Sequence, residues 1–205
     1  MNLAVLASGE GTNFQAIAEA ARRQQLGPTQ LRLLVSDNPA ARVLERAKLL
    51  GIPSHVIDPT AHRPIEMFDQ ALIRALDETG VTFVALAGYM RILSPSVVQR
   101  FRGRLINIHP ALLPAFPGAH AIRDALRYGV KITGVTVHYV DEGVDTGPII
   151  AQEAVAVCSD DTEESLAARI HAIEHRLYPE AIRLVAEGRV RLEGRRVINF
   201  SERNG

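Results

Sequence analysis

Cysteine is nearly missing from this sequence, Cys158 being the only one in 205 residues. An intramolecular disulfide framework and a multi-cysteine zinc site are thereby excluded, and the usage fits a reducing cytosol. Cys158 itself is expected to be a small packing residue. An excess of either charge is missing too, with 23 Lys and Arg against 23 Asp and Glu. No global field draws the chain toward nucleic acid or an anionic membrane. No apolar run approaches a membrane span. The opening residues Met1-Asn2-Leu3-Ala4-Val5-Leu6-Ala7 lack the basic start of a signal peptide and lead directly into a glycine loop. Repeats, low-complexity tracts and long linkers are absent, with Pro and Gly scattered as punctuation. The expectation is a compact, soluble, cytoplasmic chain, a monomer or homodimer, with no nucleic-acid or membrane partner.

With 47% hydrophobic content, the chain has enough apolar material for one large core, and a single domain over 1–205 is expected. Short apolar runs at 3–7, 31–35, 83–87 and 105–108 alternate with helical patterns at 13–23 and 40–50. That alternation is the mark of βαβ units and a parallel sheet. A further helix over 65–76 would bury Met67, Ala71, Leu72, Ala75 and Leu76 as one stripe. Strand-like runs at 134–140 and 148–157, separated only by a turn, suit antiparallel pairing. A long helical pattern over 162–185 repeats Leu166, Ile170, Ile173 and Leu177, with Pro179 expected to kink or restart it. A hairpin over 190–200 turns at Gly194. The fold class is therefore α/β: a Rossmann-like mixed, mostly parallel sheet flanked by helices.

The most informative stretch is Leu105-Ile106-Asn107-Ile108-His109-Pro110, followed later by Asp145 in a Gly-rich turn. Strand side chains alternate faces, so Asn107 and His109 project together while Leu105, Ile106 and Ile108 supply an apolar body. A carboxylate arriving from the turn could orient the imidazole and stabilise its protonated form. Such a trio suits acyl-group chemistry. The same residues also fit a buried strand-end histidine and a turn aspartate serving the backbone.

Ser8-Gly9-Glu10-Gly11-Thr12-Asn13 joins the first strand to the first helix, where backbone N–H groups and the helix dipole favour an anion. Phosphate is the natural guest. A tight turn with Thr12 or Asn13 as N-cap is the competing reading. Phe14 stands where a dinucleotide fingerprint wants its third glycine, and no Gly-Lys-Ser/Thr follows, so a P-loop is excluded. In open α/β sheets ligands sit beyond the carboxyl ends of the strands, where this loop and His109 both fall. His171-Ala172-Ile173-Glu174-His175 matches an inverted zincin pattern. Nothing marks a third ligand; a plain helix face with His175 near Tyr178 is the favoured reading, and Glu174 alternatively faces the rim to bond a substrate hydroxyl or amine.

Four ordered segments now carry a resemblance: residues 8–13; Ala87-Gly88-Tyr89-Met90-Arg91-Ile92-Leu93; 107–118 from Asn107-Ile108-His109-Pro110 onward; and Val137-His138-Tyr139-Val140-Asp141-Glu142-Gly143-Val144-Asp145-Thr146-Gly147-Pro148. On these, nearly end to end, the chain resembles the phosphoribosylglycinamide formyltransferases, a folate-dependent family of purine synthesis. The resemblance implies that Asn107, His109 and Asp145 are catalytic, and that Gly11, Thr12, Asn13 and Glu174 hold the ribonucleotide. It implies that Met90, Arg91, Ile92, Leu93, Asn107, Asp141, Glu142, Gly143, Val144 and Asp145 line the folate pocket. An arginine near the third helix contacts folate in some members; the local spacing is shifted here, leaving Arg63 as the candidate. Leu113-Pro114 resembles the family's cis-proline turn. The implied co-substrate is 10-formyltetrahydrofolate, without metal, and the implied acceptor is glycinamide ribonucleotide. Residues 1–100 would form a phosphate-binding half and 101–205 a catalytic and folate-binding half.

Related enzymes share parts of this pattern. Formyltetrahydrofolate deformylases have the same Asn, His and Asp, but the resemblance leads one to expect a regulatory domain ahead of the first strand. Methionyl-tRNA formyltransferases should carry an additional RNA-binding domain. A formyl-folate hydrolase, a nicotinamide oxidoreductase and a catalytically silent nucleotide-binding module remain the competing classes.

Overall fold

The computed structural model describes residues 1–199, so the expected hairpin's last residue, Phe200, lies outside the described residues. The chain opens with β1 (Asn2–Leu6), α1 (Thr12–Arg22), β2 (Gln30–Ser36), α2 (Val43–Leu50), β3 (Ser54–Val56), α3 (Ile65–Glu78) and β4 (Phe83–Leu86). It continues through α4 (Pro95–Arg100), β5 (Leu105–His109), α5 (Ala121–Tyr128), β6 (Ile132–Tyr139), β7 (Ile149–Ala156) and α6 (Glu163–Ala186). A hairpin of β8 (Val190–Glu193) and β9 (Arg196–Asn199) follows. Seven strands form one sheet in the order β3-β2-β1-β4-β5-β6-β7. The five strands from β3 to β5 run parallel, whereas β6 is antiparallel to both β5 and β7.

Burial on both faces explains the continuous apolar runs of the parallel strands. Leu3, Val5, Ile106 and Ile108 pack on one side with Phe14 and Ile17 of α1 and Leu166, Ile170 and Tyr178 of α6. Ala4, Leu6 and Leu105 pack on the other with Leu72 and Leu76 of α3 and Phe101. Asn107 and His109 belong to this second face. Toward β6 and β7 the same face turns polar and stitches a loop to itself. Thr136 Oγ1 donates to Ala111 O (2.6 Å) and accepts from Leu113 N (3.0 Å), and Gln152 Nε2 donates to Leu113 O (2.9 Å). The Leu113–Pro114 bond within that loop is cis, as is Arg63–Pro64.

Several expectations are corrected. In α3 the buried stripe is Phe68, Leu72, Ala75 and Leu76, while Met67 is half exposed. The larger ring of Phe68 takes the inward slot, and the Arg91 guanidinium covers it at 5.0 Å. Helix α2 starts at Val43 rather than 40, because Asn38 closes a turn by accepting the Ala40 N–H at 2.9 Å. Pro179 does not restart α6, which runs on through it from Glu163 to Ala186. It removes one amide donor, but Leu177, Tyr178, Ala181 and Ile182 around it are buried and hold the helix in place. Cys158 is exposed at the turn into α6, its N–H bonded to Asp161 Oδ2 at 2.7 Å, so it is no packing residue. Elements β3, α4 and α5 are short and carried no apolar period long enough to read.

Candidate active site

The strand order reverses direction between β1 and β4, and there the loops leaving both strands part to open a cavity of about 950 Å³. The two loops are tied together: Ser8 N donates to Gly88 O (3.1 Å) and Met90 N to Ser8 Oγ (2.8 Å). Gly11, Thr12, Asn13, Asn107, His109, Glu174 and all of residues 90–93 and 141–145 line this cavity. Arg63 does not; it is exposed, next to Pro64 at the start of α3. The shifted spacing that made it a candidate leaves it outside the cavity wall.

Asn107 and His109 meet Asp145 from the same strand face. Asn107 Nδ2 lies 3.4 Å from Asp145 Oδ1, and His109 Nδ1 lies 3.4 Å from Asp145 Oδ2, with no atom between them needed to bridge. The other ring nitrogen, Nε2, stands 2.8 Å from Phe116 O. His109 is 4% exposed. Each of its nitrogens faces an acceptor oxygen.

The structure adds a residue that sequence reasoning had named only as part of a segment. His138 stands opposite Asn107 in the antiparallel register of β5 and β6. It is buried, with Nδ1 at 2.8 Å from Tyr139 O and Nε2 at 3.6 Å from Asp145 Oδ1. Directly opposed residues share a face, so the register, once known, was the signal that finds it. Asp145 thus takes two histidines and the Gly118 N–H (2.8 Å). Burial pushes its carboxyl upward. The hydrogen bond from His138, that from Gly118, and the charge of His109 outweigh burial and hold it at about 2. Asp145 sits at a positive φ of 53°, strain for a non-glycine residue that the surrounding contacts maintain.

Loop 141–147 is folded by its own side chains. Asp141 Oδ1 accepts from Thr146 Oγ1 (2.6 Å) and Gly143 N (3.1 Å), and a Cβ on Gly147 would stand 1.7 Å from Tyr139 O. Met90, Ile92 and Val144 present apolar surface to solvent at this rim. The glycine loop is capped differently from the tight-turn reading: Gly11 is the N-cap of α1, at φ 74°, and no side chain caps the helix. Asn13 is instead buried, its Nδ2 donating to Glu174 Oε2 at 2.9 Å. That same oxygen meets His171 Nδ1 at 2.9 Å, a contact that raises the His171 pKa. His175 stacks on His171 with centroids 6.4 Å apart, and burial lowers its pKa. Glu174 therefore joins Asn13 of the glycine loop to His171 of its own helix. Among the described residues, no helix is long and apolar enough to cross a membrane, and no group of three His, Cys, Asp or Glu is arranged to hold a metal.

Fold and site together define an α/β enzyme with a glycine loop at the switch in strand order and an amide, imidazole and carboxylate on the adjoining rim. The family model described as formyl transferase matches residues 1–182. The phosphoribosylglycinamide formyltransferase of Bacillus subtilis is 48% identical over 88% of this chain and 92% of its own. The crystal structure of glycinamide ribonucleotide transformylase 1 from Symbiobacterium toebii superposes with a TM-score of 0.95 at 49% identity, covering 98% of this chain and 94% of that one. A formyltetrahydrofolate deformylase from Pseudomonas syringae shares the fold more distantly, at 27% identity and a TM-score of 0.89, over 98% of this chain and 66% of that one. The chain belongs to the formyl transferase family, among the phosphoribosylglycinamide formyltransferases.

Proposed function

We propose that this chain moves the formyl group of 10-formyltetrahydrofolate to the amine of glycinamide ribonucleotide in the cytoplasm, as a step of purine synthesis, with Asn107, His109 and Asp145 as the catalytic residues. The observation that carries the assignment is the meeting of these three side chains beside the glycine loop in one cavity. The loop, Asn13 and Glu174 take the ribonucleotide, while residues 90–93 and 141–145 receive the folate. Attack of the amine on the formyl carbon forms a new C–N bond and a tetrahedral oxyanion. Asn107 Nδ2 and a protonated His109 supply the donors for that charge, and one such donor is typically worth about a hundred- to a thousandfold in rate. The bond to the folate nitrogen then breaks as the amine's proton passes to that nitrogen, yielding formylglycinamide ribonucleotide and tetrahydrofolate. Asp145 orients the imidazole through Nδ1. His109 Nε2 is engaged by the Phe116 carbonyl in this conformation, so the formyl oxygen must displace that carbonyl to reach it.

The test supplies 10-formyltetrahydrofolate with and without glycinamide ribonucleotide. Formylated ribonucleotide should appear only when both are present. Release of formate at the same rate without the acceptor would convert the reading to a hydrolase.

A further inference from the structure

Helix α2 holds the glycine loop in a way that neither substrate's chemistry requires. Val43 N donates to Gly9 O at 3.0 Å, and Arg46 Nε donates to Glu10 O at 2.7 Å. Arg46 also donates to the Gln15 side chain on α1, bridging loop and helix. Two consecutive loop carbonyls are therefore pinned toward α2. In a trans peptide the carbonyl and the N–H point in opposite directions, and both of these peptides are trans. Pinning Gly9 O and Glu10 O accordingly turns the N–H groups of Glu10 and Gly11 away from α2. Gly11 has no Cβ and a positive φ, so little in the loop itself resists turning the Glu10–Gly11 peptide over. A flipped peptide would offer a carbonyl oxygen where an anion expects a donor.

We propose that Arg46 is a positioning residue for the ribonucleotide phosphate, acting by fixing the Glu10–Gly11 peptide so that its N–H, and not its carbonyl, meets the anion. This rests on the assignment of the loop to the ribonucleotide made above. Arg42 provides the internal contrast. It pairs with the Glu10 side chain at 3.2 Å, with both side chains well exposed, and among the described residues its side chain makes no hydrogen bond to the loop backbone. It shares Arg46's charge and neighbourhood but not its grip on the peptide.

Steady-state kinetics of the full chain test the idea. Arg46→Met should raise the KM for glycinamide ribonucleotide about tenfold or more, the scale of one charge-assisted hydrogen bond. Both kcat and the KM for formyl folate should stay within about twofold. Arg46→Lys, which keeps a donor for Glu10 O, should fall between native and Met, and it carries the test if Arg46→Met does not fold. Arg42→Met should change the ribonucleotide KM by less than about twofold. An unchanged ribonucleotide KM in both Arg46 variants, a fall in kcat matching the rise in KM, or an equal rise from Arg42→Met each overturns the proposal. Thr12→Ala separates this failure from that of the loop assignment. A raised ribonucleotide KM there beside native-like Arg46 variants sinks only the role of Arg46, whereas no change there sinks both.

Discussion

Asp145 is where electrostatics and chemistry coincide. Its carboxyl, held at about 2, is bound by groups that require its charge. For a depressed carboxylate, the stabilisation is complete above the unfolded value near 3.8 and is lost as pH falls toward about 2. The native chain should lose on the order of 2 kcal/mol from this group alone across that window. Asp145→Asn should flatten that part of the acid-stability curve, as followed by urea unfolding at stepped pH; a curve as steep as the native one would contradict the assignment. The same variant should lose most of its transfer rate, since the carboxylate that meets the imidazole is gone. Full activity at neutral pH would refute its role. His109→Ala should abolish most transfer, by a hundredfold or more, while calorimetric affinity for the ribonucleotide stays nearly native. At this scale the shared face of Asn107 and His109 was legible because an amide and an imidazole two residues apart on a strand must point the same way. His138 was not, since its place beside them depends on which residue of another strand stands opposite Asn107.

Elements position these groups through close backbone approaches. The turn between β6 and β7 brings Gly147 so near Tyr139 O that any side chain must displace the strand end. Gly147→Ala is expected to cost 2 kcal/mol or more, of the order of other overpacked sites, and to lower kcat by moving Asp145. A variant with native unfolding midpoint and turnover would show that the turn relaxes freely. Gly11 meets a comparable limit, a Cβ there lying 2.4 Å from Val43 Cγ2. Long periodic elements such as α1 and α6 were read within a residue or two, because burial of a full stripe dictates their pattern. Pro179 failed to restart α6 for a related reason. A local rule against proline in helices says nothing about how much apolar surface the surrounding turns bury.

Across the whole molecule, α6 fastens the sheet beneath the site. Tyr178 is fully buried, and its hydroxyl donates toward Leu86 O (2.8 Å), at the end of β4, and Ile106 O (3.2 Å), near the start of β5. Tyr178→Phe should cost about 1–2 kcal/mol in denaturant unfolding, the usual penalty for leaving buried acceptors unpaired. No loss would mean those carbonyls are satisfied within the sheet. Contacts of this range decide the site: Asn13 and Glu174 hydrogen-bond across 161 residues of chain. From its sequence alone this protein declared an alternating α/β pattern, a glycine loop, and an amide and imidazole on one strand face, since each follows from spacing between neighbours along the chain. Only the tertiary structure settled that Asp145 touches both, that His138 joins them, that Arg63 stays outside, and that α2 grips the loop. Strand register and long-range side-chain packing leave no local period to read.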